Sequence, residues 1–165
     1  MSHESQPGGG ASPRPGSGEL RPGVRALRFI VAFNLLSTAL HYTHNFAMAD
    51  MYPPVPVVFP TALSYQIGIA IFWPLLTAVG LWGYRLYKAG ETRRPRWMLS
   101  VYAMLGFTTL GHFLGGNPDI PPFFYATLFT DFLAGSALLA FVAWTFRQPD
   151  TREGCGDLAP GATEA

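Results

Sequence analysis

Charge is what this sequence has least of. Its 11 Lys and Arg and 10 Asp and Glu amount to 13% of 165 residues, against roughly 25% in soluble proteins. That is too few to clothe an ordinary water-soluble domain. Cysteine is nearly absent: the single Cys155 excludes an intramolecular disulfide framework and a cysteine-based zinc site. It sits in a Gly- and Pro-rich tail and reads there as an incidental exposed thiol. A net charge of +1 gives no compositional case for binding nucleic acid. The chain also lacks a Gly-rich phosphate loop, a Ser-centred nucleophile elbow and the repeated acidic motif of prenyl-transfer enzymes. No internal repeat suggests an inverted-repeat transporter.

Long apolar runs are what the chain does have. Residues 1–22 and 148–165 are rich in Gly, Pro and polar side chains, and both are expected to be disordered because they cannot bury enough surface to offset ordering. Between them lie four apolar stretches, at approximately 26–48, 63–84, 97–115 and 123–146. Each is close to the roughly 20 residues that a helix needs to cross the hydrocarbon core. Only Arg28 and Asp131 are ionised at neutral pH within these limits. The expected fold is therefore all-α, an integral membrane four-helix bundle over residues 23–147 with disordered cytoplasmic tails. Open strands are excluded because lipid cannot satisfy their edges. The first stretch mimics a signal peptide, with Arg21, Arg25 and Arg28 before it and Ala47-Met48-Ala49 at its end. Its length and its polar residues Asn34, His41 and His44 favour a retained helix.

All the Lys and Arg fall on one side of this arrangement. Arg14, Arg21, Arg25 and Arg28 precede or open the first stretch; Arg85, Lys88, Arg93, Arg94 and Arg96 join the second to the third; Arg147 and Arg152 follow the fourth. The other two connections, 49–62 and 116–122, have none, so the positive-inside rule places both termini in the cytoplasm of a multi-pass protein of the plasma (inner) membrane. The 85–96 loop is expected to meet anionic lipid headgroups in the bilayer. The outer connections are rich in proline (Pro53, Pro54, Pro56 and Pro60; Pro118, Pro121 and Pro122) and are expected to form stiff covers over the outer face.

One face of the first stretch is polar. At 100° per residue, Asn34, Ser37, Thr38, His41, His44 and Asn45 fall within a sector of about 120°. Such a stripe must turn toward other helices or a wet cavity. His112 in the third stretch and Asp131 in the fourth complete the set of ionisable side chains deep in the spans. Counted from the outer helix ends, His112 lies about 5 Å deep, His44 about 6 Å, His41 about 10 Å and Asp131 about 12 Å, all in the outer half. The expectation is one transition-metal site, with His41, His44, His112 and Asp131 holding zinc, copper or iron in a redox or transport role. A haem b ligated by His44 and His112 is the near variant, although the outer half has no Lys or Arg to pair with its propionates. Two alternatives stay open: a proton-coupled carrier or enzyme acting on a lipid-soluble substrate, and a structural or assembly subunit bound to other membrane subunits or to itself. Gly111 and Gly115, and Ser136 and Ala140, offer small-residue packing pairs, and Pro74 is expected to kink the second helix and open space.

A reporter active only outside the cytoplasm, fused to either terminus, is expected to stay silent. Activity at one end would refute the topology, and a mature chain beginning at Asp50 would restore the signal-peptide reading.

Overall fold

The computed structural model describes residues 22–148 apart from Pro54, Pro56 and Gly115. Nearly all of both tails, with His3 and Cys155, lies outside the described residues. The structure is all-helical: α1 (Val24–Ala47), α2 (Ala62–Lys88), α3 (Arg93–Thr108) and α4 (Pro122–Thr145), with 3-10 turns at Ala49–Met51 and Thr109–Phe113. Among the described residues the only strand-like pairing is an isolated bridge between Val55 and Phe59. Helices α1, α2 and α4 are long and apolar enough to cross a membrane, which marks the chain as a membrane protein.

Helix starts follow from local chemistry. Thr61 caps α2 in a reciprocal box with Ser64, each side chain taking up the other's backbone N–H. Pro122 opens α4, where a missing N–H costs nothing. Pro95 sits in the first turn of α3 for the same reason.

The third helix departs from expectation. The sequence predicts one run over 97–115, but the α-helix covers Arg93–Thr108, 16 residues or about 24 Å, and then tightens into the 3-10 turn that carries His112. Side chains take over the carbonyl of Leu105 at this end: Thr108 Oγ1 donates to it at 2.6 Å and the Tyr42 hydroxyl at 3.2 Å. A helix can stop inside an apolar layer only when its last carbonyls are satisfied in this way.

The helices pack as a ring in which each touches its two sequence neighbours and α1 closes on α4. The core contains Leu27, Leu99, Tyr102, Ala103 and Leu138, all buried. Glycines set the closest approaches, though not those the sequence spacing suggests. A Cβ on Gly106 of α3 would run into the backbone carbonyl of Asp131 and the Cα of Gly135 on α4. At Gly111 a Cβ would meet nothing within 4 Å, and Ala140 is exposed. The α3–α4 contact therefore rests on Gly106 and Gly135 rather than on the Gly111 or Ser136 pairs. Between α2 and α3, Gly80 receives the Tyr102 ring.

The outer connections join into one cap. The Asp119 N–H donates to the Met51 carbonyl at 3.3 Å, and Tyr52, Ile120 and Leu128 form a small apolar cluster beneath it. Phe59 packs against Gly68 of α2, where a side chain would collide with its ring.

Gly106→Val is expected to destabilise the protein by about 1–3 kcal/mol through overpacking, read as a lower Tm in mild detergent. Gly111→Ala should stay within about 0.5 kcal/mol of wild type. Equal stability of the two variants would refute the assignment of the α3–α4 contact.

Candidate functional site

All six residues of the polar face of α1 are buried: Asn34, Ser37, Thr38, His41, His44 and Asn45. Each finds partners within the bundle. Asn34 Nδ2 donates to the Ala134 carbonyl of α4 at 2.8 Å and to its own helix at Ile30 at 3.0 Å. Ser37 bonds Thr130 at 3.2 Å, and Thr38 turns back to the Asn34 carbonyl at 2.8 Å. These three act as interhelical or intrahelical polar contacts.

Asn45 is the hub of the remainder. Its Nδ2 lies 2.8 Å from His41 Nε2, 2.8 Å from the Tyr65 hydroxyl and 3.1 Å from His112 Nε2. His41 Nε2 and His112 Nε2 face one another at 3.3 Å. An amide has two hydrogens and three groups crowd around them, and the tautomers of His41 and His112 set which ring nitrogen donates and which accepts. His41 Nδ1 and Asn45 Oδ1 are buried and have no hydrogen-bond partner among the described residues. The cluster is polar, close-packed and incompletely satisfied, as sites that handle protons or ligands often are.

The fold separates the four residues expected to share an ion. His41 and His112 come together, but His44 turns away: its Nδ1 pairs with the Tyr52 hydroxyl at 2.7 Å and its ring stacks on Phe124. Asp131 is fully buried and bonds Thr109 through Oδ2 at 3.4 Å, and its Oδ1 has no partner among the described residues. It faces the bundle, as expected, yet no hydrogen bond to His41 is present among the described residues. No group of three or more His, Cys, Asp or Glu side chains among the described residues could hold a metal ion. The single-ion set of zinc, copper or iron thus finds no support. The haem variant would draw on imidazoles already engaged, His44 by Tyr52 and Phe124, His112 by His41 and Asn45. Residues at one level of a bundle still point along different radii.

Tyr65, Tyr52 and Asn45 are the site residues that sequence reasoning missed as such. A signal existed for Tyr65, a hydroxyl-bearing ring in the first turn of an apolar helix on the outer side. Tyr52 had none, because its burial depends on how the outer cap folds. Its ring contacts those of His44, Tyr65 and His112, at centroid distances of 5.8, 6.0 and 4.8 Å.

Two cavities meet at this cluster. One, of about 560 Å³, lies between α2 and α3 and is walled chiefly by apolar side chains such as Ile69, Trp73, Leu76 and Leu105. It is open to the outside where the lining residues Val58, Phe72 and Leu114 are exposed. The other, of about 190 Å³, lies under the outer cap and is lined by Asp50, Tyr52 and Thr61 among others. Val55, Phe59, Tyr65 and His112 line both.

Tyr52 lies outside the spanning helices, and burial pushes its phenol above the usual tyrosine range. A raised folded-state value means that the unfolded chain releases this proton first. The stability that Tyr52 contributes is then complete below about pH 10 and is lost as pH rises beyond it. Tyr52→Phe is expected to flatten the alkaline limb of a Tm-versus-pH curve and leave the limb below pH 9 parallel to wild type; parallel curves throughout would refute the burial of the hydroxyl. No family model, curated protein or solved structure matches the chain, so the function of the site is to be read from its geometry.

Proposed function

We propose that the chain is a four-helix integral membrane protein of the plasma (inner) membrane with both termini cytoplasmic, and that it takes a lipid-soluble molecule into the α2–α3 cavity and exchanges a proton with it at His112, as an enzyme or a proton-coupled carrier. Exposed Phe29, Leu36, Trp97 and Phe129 on α1, α3 and α4 support a hydrocarbon surround for the bundle. Exposed Arg85, Lys88, Arg93 and Arg94 at the opposite end support contact with anionic headgroups.

The observation that carries the reading is the position of His112. It lines both the apolar cavity and the smaller cavity under the cap, and its Nε2 is 3.3 Å from a second imidazole behind it. A molecule entering from the side would lay its apolar body along Trp73 and Leu76 and bring its polar end to His112 and Tyr65. His41 would take up or return the proton that His112 exchanges. The cavity volume falls within the about 300–1,000 Å³ typical of small-molecule sites.

An adamantyl diazirine, a neutral cage that partitions into lipid, tests the cavity without reference to any end group. After photolysis in phosphatidylcholine vesicles, adducts are expected to concentrate on the segments carrying Trp73 and Leu105. Leu76→Trp, which fills the cavity, should lower them at least about threefold relative to the adducts near Phe29. Even labelling of all lipid-facing helix surfaces would overturn the reading.

A further inference from the structure

We infer that the molecule taken up ends in an uncharged oxygen group, a hydroxyl or a carbonyl, and not in a phosphate or an amine. The inference rests on the proposed lipid-soluble ligand and narrows its class. Three features of the two cavities carry it.

Among the described residues that line the larger cavity there is no Lys, Arg, Asp or Glu. A phosphate end would bring close to two negative charges into an apolar recess with no cation to meet them, and an ammonium end would find no carboxylate there. Arg85, Lys88, Arg93, Arg94 and Arg96 are at the far end of the bundle, where α2 ends and α3 begins, whereas the cavity reaches the first half of α2 and the end of α3. Among the described residues the one charged group lining the smaller cavity is Asp50, which repels an anion; it is exposed at the cap, so an ammonium drawn to it sits in water and not in the apolar recess.

What the cavity does offer is neutral hydrogen bonding. His112, Tyr65, Tyr42 and Thr108 all line it. Tyr42 and Thr108 are occupied with each other and with the Leu105 carbonyl. His112 and Tyr65 meet at the Asn45 amide, which is oversubscribed. An incoming hydroxyl can donate to one of this pair and accept from the other. A carbonyl can accept from either. Both kinds of group form hydrogen bonds with a neutral imidazole, and neither requires a buried counter-charge.

A matched C15 series separates the end groups: farnesol, farnesal, farnesyl phosphate, farnesylamine and the hydrocarbon farnesene, each titrated by mole fraction in phosphatidylcholine vesicles as a competitor of adamantyl diazirine labelling of Trp73. On the wild-type protein, farnesol or farnesal should protect at about one-tenth the mole fraction needed by the other three, the equivalent of one well-made hydrogen bond. Tyr65→Phe and His112→Leu should each shrink that advantage over farnesene to less than about threefold. Equal or better protection by farnesyl phosphate or farnesylamine would overturn the inference and leave the cavity reading standing. Farnesene matching farnesol would do the same. Failure of the diazirine to label the cavity in the first place would sink the functional reading itself. The wild-type comparisons decide the matter even if a variant fails to fold.

Discussion

A polar group surrounded by hydrocarbon has to find its hydrogen bonds inside the protein, and that requirement organises the molecule around α1. Its face from Asn34 to Asn45 is buried along its length. Every other helix answers it with something: α4 with the Ala134 carbonyl and Thr130, α2 with Tyr65, and the turn after α3 with His112. The opposite surface of the bundle shows large apolar side chains such as Phe29, Leu36 and Phe129. Buried polar side chains thus lie inside the bundle beside its apolar core, while large apolar side chains cover the outside, unlike the surface of a water-soluble bundle.

The early end of α3 turns this polar interior into a site. Had the α-helix continued to the end of its apolar stretch, His112 would have remained on a regular helical face. The 3-10 turn over Thr109–Phe113 instead brings its Nε2 within 3.3 Å of His41 and leaves Leu105, Phe107 and Thr108 facing a gap along α2. Tyr42 helps make that possible by taking the Leu105 carbonyl that the helix no longer serves. Pro74 lies in α2 beside the cavity-lining Trp73 and Leu76, and it cannot donate to the carbonyl one turn earlier. The roof over this gap is built by the outer connections, which meet through Asp119 and Met51 and press Phe59 onto Gly68.

The divergence of the four ionisable residues has a geometric cause. His41 and His44 are three positions apart on α1, so they point about 60° away from one another. That spread directs His41 toward Asn45 and His112, and His44 toward Tyr52 and Phe124. Asp131 is held where α4 comes closest to α3, with its backbone carbonyl against Gly106 and its side chain on Thr109. Its burial goes with the close approach of α3 and α4 at Gly106 and Gly135.

The sequence by itself determined the helical class, three of the four long helices to within a few residues, the one-sided distribution of Lys and Arg, and the fact that Asn34, Ser37, Thr38, His41, His44 and Asn45 share a buried face. These are properties of composition and of the 3.6-residue period, which are local and survive whatever the neighbours do. Packing between helices sets which histidines meet, where α3 stops being α-helical, that Gly106 and Gly135 and not Gly111 make the close contact, and that Tyr52 is buried. Each of these depends on the rotation of one helix about its axis relative to another, and on the fold of the outer cap. Such rotations are fixed by the sum of many contacts between distant residues. No single helix encodes them.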